Sequence, residues 1–471
     1  MQIKFCGAAR EVTGSAHLLI LQDGTKILLD CGMYQGRSEN MKDFNENWLF
    51  DPAELDCVVL SHAHIDHCGR LPKLVKDGFK GPIRCTHASR SLCTIMLLDA
   101  AKIQEGDADN YNERHERAIN KEELEAREPL YTAADVDACM KQFVSYGYDR
   151  WFKIHNDVEV LFADAGHILG SASVTLKIKE DGKEIMLGFT GDIGRPNRPI
   201  LRDPQSMPPV DYLICESTYG DRDHEEKPAE MSHFLQIIRY TCLEKKGKLI
   251  IPAFSVGRTQ EIVYILDQLV SAGKLPPVPV FVDSPLAVNA TTIYGSHPEC
   301  FDNQLHEYLL KDDNPFGFNN LQYIRETEAS KKLNTYQDPC IIISASGMAN
   351  AGRIRHHLFN SIDSAQNTIL IVGYCSPDTP GGMLRNGVKE LKLFGQWKPV
   401  KAEVTIMDSF SAHADRWEMI HFLENQKERA GKIFLVHGEL KAQESFRGLL
   451  LQQGFKAVEI PQLGETFTIN A

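Results

Sequence analysis

Behind one buried strand stands a run of metal-binding side chains that few folds can use. Asp56 to Leu60 (Asp-Cys-Val-Val-Leu) is a compact apolar segment of the kind that forms an interior strand. The next residues are Ser61-His62-Ala63-His64-Ile65-Asp66-His67. In extended backbone, residues two apart project to one side, so His62 and His64 point together. Asp66 and His67 follow where the chain turns toward a helix expected from Gly69 to Lys76. Three imidazoles and a carboxylate thus fall within six residues. A single tetrahedral metal cannot use all four and stay open to water. Two metals can, each taking a pair, but ions ~3.5–4 Å apart need a shared carboxylate and further imidazoles.

Candidates for those further ligands recur at the ends of other predicted strands. His167 follows the strand Val158 to Ala163, Asp192 follows Ile185 to Phe189, and His437 follows Ile433 to Val436. Each has a glycine beside it in sequence. Ligands at the C-terminal ends of strands gather on one edge of a layered fold, where α/β proteins keep their sites. Nitrogen and oxygen donors without thiolate suit zinc, with manganese or iron as alternatives.

The rest of the chain reads as α/β. Ile3 to Phe5, Ala16 to Leu21, Lys26 to Leu29 and Ala172 to Lys179 are further expected strands. The polar stretch Gln104 to Arg127 reads as a solvated helical excursion. Thr132 reads as the N-cap of a helix running from Asp135 to about Tyr146. Arg195 to Pro209 is rich in Pro and Arg, as a crossover between domains would be. Beyond it, strands (Leu213 to Glu216, Lys248 to Pro252, Val278 to Asp283, Cys340 to Ser344, Thr368 to Val372) alternate with helices. That alternation implies a largely parallel sheet flanked by helices.

The 471 residues suffice for two or three domains. No stretch offers ~20 consecutive apolar residues, so no membrane span is expected. The N-terminus reads as a strand without the apolar core of a signal peptide. Twelve cysteines are scattered with no CxxC pair, which points to reduced thiols and a cytoplasmic setting. A net charge of −13 disfavours non-specific duplex binding. It still allows a nucleic-acid enzyme with a locally cationic cleft.

The run His-x-His-x-Asp-His resembles the signature of the metallo-β-lactamase superfamily. Leu28-Leu29-Asp30-Cys31-Gly32, His167 and Asp192 match its other metal-site motifs in order. Glu216 in Cys-Glu-Ser-Thr-Tyr-Gly, His413 in Phe-Ser-Ala-His-Ala-Asp, and His437 resemble motifs A, B and C of the β-CASP subfamily of nucleases. Pro252 to Arg258 and Ser344 to Met348 match it too.

The resemblance implies an αββα sandwich over 1–205, completed by 391–471, with a β-CASP α/β domain inserted at 206–390. It implies one zinc held by His62, His64, His167 and Asp192. The second would be held by Asp66, His67, His437 and the bridging Asp192, with Asp30 orienting a ligand histidine. Histidine rather than valine in motif C favours RNA over DNA. The expected activity is endo- or exonucleolytic hydrolysis of single-stranded RNA clamped between the two domains. Water activated by both metals would be the nucleophile and Asp66 would orient it. His413, held by Glu216, would protonate the leaving oxygen. Ser344, Ser346 and Gly347 offer an anion nest, with Arg258, Arg353, Arg355, His356 and His357 supplying charge around it. A homodimer is compatible with the family. The alternatives are a DNA nuclease or a thioesterase-like hydrolase of the wider superfamily.

Overall fold

The computed structural model describes residues 1–35, 41–116, 126–224, 230–373, 375–407 and 412–470. The chain forms two compact units. The first comprises Met1–Pro196, Asp203–Asp223 and His413–Ala471; the second comprises Asn197–Arg202 and His224–Ala412.

The first unit is built on two seven-stranded mixed sheets. One runs, edge to edge, Thr466–Thr468, Gln2–Phe5, His17–Ile20, Lys26–Leu29, Cys57–Val59, Ile83–Thr86, Phe143–Tyr146. The other runs Val458–Glu459, Lys432–Val436, Tyr212–Glu216, Lys183–Phe189, Ala172–Glu180, Val158–Asp164, Phe152–His155. Alternate residues such as Val158, Val160 and Phe162, or Ile185, Leu187 and Phe189, enter one core with Ile3, Phe5, Leu29 and Val59 of the other sheet. Burying a side chain of this size contributes about 1.5–3 kcal/mol, so the period-two pattern fixes which face turns inward. On the outer face of the second sheet, Leu213, Cys215, Ile433 and Leu435 pack on Met419, Phe422, Phe446 and Leu450. Those four come from the helices Arg416–Phe422 and Leu440–Gln452. The helices His87–Glu116 and Ala133–Met140 cover the first sheet, giving the expected αββα order.

Local boundaries differ from the sequence expectation in several places. Thr132 does cap a helix, in a reciprocal capping box with Asp135, but that helix ends at Met140. Phe143–Tyr146 is instead a strand parallel to Ile83–Thr86, as its aromatic and β-branched residues favour. The polar segment from Gln104 is the second half of one long helix, His87–Glu116; positions 117–125 of that segment lie outside the described residues. The strand Tyr212–Glu216 sits in the first unit, between Lys183–Phe189 and Lys432–Val436 and parallel to both. The second unit, in turn, continues past 390 through its edge strand Glu403–Ile406.

That second unit holds a six-stranded, fully parallel sheet. Its order is Leu321–Tyr323, Val280–Asp283, Cys340–Ser344, Lys248–Pro252, Thr368–Ile371, Glu403–Ile406. A separate antiparallel hairpin joins Glu390–Leu393 to Gln396–Pro399. All twelve cysteines are buried and none forms a disulfide.

Candidate metal centre

Each ligand candidate is placed by the end of a strand in the first unit. His62 and His64 lie in the stretch after Cys57–Val59. Asp66 and His67 lie on the single turn Ile65–Cys68. That turn sits against the chain at Gly32, where an added Cβ would stand 1.6 Å from the Asp66 carbonyl oxygen. His167, Asp192 and His437 follow Val158–Asp164, Lys183–Phe189 and Lys432–Val436. His437 takes a left-handed backbone (φ 49°), and its N–H donates to the Ala8 carbonyl at 2.8 Å.

The donors fall into two groups that meet at Asp192. In the first, His62 Nε2 is 3.1 Å from His64 Nδ1, and His167 Nε2 is 3.2 Å from the same atom. Asp192 Oδ2 lies 3.5 Å from His62 Nε2 and 3.6 Å from His167 Nε2. In the second, His67 Nε2 and His437 Nε2 are 3.2 Å apart. Asp66 Oδ2 lies 3.4 Å from His437 Nε2, and Asp192 Oδ1 lies 3.3 Å from His67 Nε2. Bonds of 2.0–2.1 Å to a tetrahedral ion require ligand atoms about 3.3 Å apart, so both groups have the right edge length. Asp192 Oδ1 is buried with no hydrogen-bond donor. Such an oxygen is costly unless something positive meets it.

The electrostatics agree. Burial drives His62 and His167 well below the ordinary imidazole pKa and His64 to about 4, leaving them neutral, the form that binds metal. Burial would lower His67 as well, but the carboxylates of Asp192 and Asp30 outweigh it and push it well up. The pocket therefore selects positive charge at this point. Burial opposes ionisation of Asp66, yet its contacts with His437 and His67 bring it to about 2.

A supporting shell fixes the rings. Asp30, fully buried, accepts from Ser61 N (2.8 Å), Ser61 Oγ (2.9 Å) and Ser15 Oγ (3.1 Å). It lies 2.7 Å from His67 Nδ1. A carboxylate at that distance holds the proton on Nδ1 and turns the Nε2 lone pair into the pocket. Glu216 accepts from the N–H of Ile193, next to Asp192, at 2.5 Å and from Thr218 Oγ1 at 2.5 Å. The Thr218 hydroxyl also lies 3.1 Å from His437 Nδ1. His413 Nδ1 is 3.4 Å from Glu216 and 4.0 Å from Asp192. Burial would lower its pKa, but Glu216 with Asp192 and Asp66 raises it to about 9.

The same architecture recurs among known proteins. A model of the metallo-beta-lactamase superfamily matches residues 10–219, a Beta-Casp domain model 259–384, and a Zn-dependent metallo-hydrolase RNA specificity domain model 397–461. The chain is 35% identical to "Ribonuclease TTHA0252" of Thermus thermophilus, over 99% of each chain. The chain belongs to the β-CASP family of the metallo-β-lactamase superfamily. It is also 31% identical to "Transcription termination factor FttA" of Methanosarcina mazei, over 94% of this chain and 67% of that one. A crystal structure of a protein of unknown function from Enterococcus faecalis shares the fold (TM-score 0.55, 10% identity, 99% of each chain).

In the β-CASP unit, the candidate phosphate-binding residues are already engaged with the protein. The Ser344 hydroxyl donates to the Asp283 carbonyl (2.8 Å) and Ser346 Oγ to Asn350 (2.7 Å). Gly347 lies against the Phe254 ring, 2.7 Å from where its Cβ would be. Arg258 bonds Glu261. Arg353 reaches buried Asp283 (2.7 Å) and the Arg325 carbonyl (2.7 Å), and His357 takes the other Asp283 oxygen (2.7 Å). His356 stacks on Phe394 at 4.5 Å, with the Arg355 guanidinium 4.5 Å from the same ring. Of the three arginines, Arg353 thus ties the loop to Asp283 and to the chain at Arg325, while Arg258 is paired within its own helix. Sequence reasoning passed over Ser15, Ser61, Thr218 and Asp283. Of these, Ser61, directly before His62, and Thr218, two residues after Glu216, stood beside recognised motifs. Among the described residues no helix is long and apolar enough to cross a membrane.

Proposed function

We propose that this chain is a zinc-dependent ribonuclease that hydrolyses phosphodiester bonds of single-stranded RNA. One observation carries the reading: Asp192 offers one oxygen to each of two complete ligand groups. The ribonuclease named among its relatives, and the histidine at 437, favour RNA as substrate. The nitrogen and oxygen donor set favours zinc. Two divalent ions bound there would make water acidic enough to react at neutral pH and would offset charge growing on the phosphate.

The chain's own residues do the rest. Asp66, ionised at any working pH, orients the attacking water. The water oxygen bonds to phosphorus, the bond to the 3′ oxygen breaks, and that oxygen needs a proton. His413, charged at neutral pH and facing Glu216, is the proton donor. Glu216 holds the His413 ring and, through Ile193 N, the segment carrying Asp192. The backbone phosphate sits at the Ser344–Gly347 loop, whose shape Arg353 maintains through Asp283, with Arg258 and His356 adding charge nearby.

The test is incubation with labelled single-stranded RNA, the matching DNA and a chromogenic phosphodiester, with chelator and with zinc restored. RNA is expected to be cut and DNA spared, with activity lost on chelation and regained with zinc. Cleavage that ignores the chelator would overturn the reading. His413→Ala is expected to lower turnover about 10²–10⁴-fold at full metal content; unchanged turnover would remove it as proton donor.

A further inference from the structure

The hairpin Glu390–Leu393/Gln396–Pro399 has two unlike faces. Leu391 and Leu393 turn inward and join Ile354, Leu358 and Leu384 in the core of the β-CASP unit. Lys398 is paired in register with Leu391; it is bonded to Asp363 and lies 4.6 Å from the Phe359 ring. The opposite face presents Lys392 directly across from Trp397, its ammonium 6.0 Å from the indole centre. Trp397 is 65% exposed, the most exposed aromatic among the large apolar residues described. An indole is the largest apolar side chain and a strong stacking surface.

Charge says what kind of partner this face fits. The chain as a whole carries −13, yet residues 385–401 hold five basic residues (Arg385, Lys389, Lys392, Lys398, Lys401) against Glu390 alone, a local +4. Lys389, Lys392 and Lys401 are exposed and form no ion pair among the described residues. Lys389 and Lys401 stand at the open end of the hairpin, where Val400 N–H donates to the Lys389 carbonyl (2.8 Å). A basic strip around an exposed aromatic ring is how proteins hold single-stranded nucleic acid: phosphates follow the cations and a base stacks on the ring.

We propose that this hairpin is an accessory site for single-stranded RNA, with a base stacked on Trp397 and phosphates held by Lys389, Lys392 and Lys401. The proposal rests on the ribonuclease reading and goes beyond it: the β-CASP unit grips the strand with side chains that hold no metal. The backbone of the hairpin is fixed before binding, so the ring is presented without an ordering cost.

The test measures binding of the metal-loaded protein to a labelled, phosphorothioate-linked RNA that resists hydrolysis. Parent, Trp397→Leu, Trp397→Phe and the triple variant Lys389→Gln/Lys392→Gln/Lys401→Gln are compared across a salt series. Loss of one stacked base predicts roughly fivefold to hundredfold weaker binding for Trp397→Leu, with Trp397→Phe recovering part of it. On RNA carrying abasic sites, parent and Trp397→Leu are expected to bind alike. Removing three phosphate contacts lowers the slope of log Kd against log salt by about 2. Equal affinity and equal slope in all four proteins, with the parent cutting RNA, overturn the accessory site alone. Unchanged RNA affinity together with a loss of self-association in Trp397→Leu also overturns it, and marks the face as a contact between copies. A parent that neither binds nor cuts RNA removes both readings.

Discussion

At the residue scale, the centre depends on carboxylates that never touch substrate. Asp30 meets three donors and the His67 ring with no exposure to water. Replacing it by Asn keeps the shape and removes the charge that holds the His67 proton on Nδ1. Such supporting partners are worth 10–100-fold in metal affinity. Asp30→Asn is therefore expected to lower the metal count from two toward one, with His62, His64 and His167 still loaded; elemental analysis at limiting zinc reads this directly. A second carboxylate works against the fold. Burial raises Asp267 to about 6, only partly offset by the bond from Tyr308 Oη (2.6 Å), while Asp312 adds repulsion. Its folded pKa exceeds the unfolded value of about 3.9. The stability it contributes is present below about pH 4 and lost as pH rises through about 6. Asp267→Asn removes this titration. The variant is expected to be more stable than the parent at neutral pH, by on the order of 2 kcal/mol, and flatter between about pH 4 and 6; urea melts at several pH values check it. The convergence of the candidate ligands was legible because spacing after a strand constrains where a histidine points. Ser61 and Thr218 were not, because a hydroxyl that bonds a neighbour leaves no periodic trace.

At the scale of elements, two glycines separate a functional constraint from a local one. An added Cβ at Gly32 would lie 1.6 Å from the Asp66 carbonyl oxygen and 2.7 Å from Ser15 N. Nothing there can yield without moving the turn that carries Asp66 and His67. Gly32→Ala is expected to fold with the second ligand group disordered, seen as loss of one metal and at least tenfold lower turnover. Gly106, within the helix His87–Glu116, meets nothing within 4 Å. There alanine only removes backbone freedom, so Gly106→Ala is expected to stabilise by about 0.5–1 kcal/mol. The pair is read in one experiment by thermal unfolding and metal analysis. Element identity was legible where apolar residues recur at every second position, as at Val158, Val160 and Phe162 or Ile185, Leu187 and Phe189. It failed at Phe143–Tyr146, where four residues are too few to show a period and the capped helix before them invites extension.

At the scale of the whole molecule, the order of segments in the chain conceals which unit each belongs to. Strand Tyr212–Glu216 looks like the first strand of the alternating region, yet it pairs with Lys432–Val436, more than two hundred residues later. A parallel strand carries the same apolar pattern in either sheet, so composition alone could not assign it. The pairing has a functional consequence. It sets Glu216 beside His437 and His413, so the centre forms only once the C-terminal segment has returned to the first unit. Metal bound to donors from four separated segments then stabilises the folded unit by mass action, about 4 kcal/mol when free metal exceeds its dissociation constant a thousandfold. Hydrogen exchange with and without chelator locates this effect. Removing metal is expected to lower protection around 61–67, 190–193 and 436–438, where buried imidazoles and carboxylates lose the charge that joins them. Protection in Lys248–Pro252 and Cys340–Ser344 is expected to stay unchanged, because no ligand comes from the parallel sheet. Equal loss in both units would mean that the metals stabilise the chain by some route other than these seven side chains.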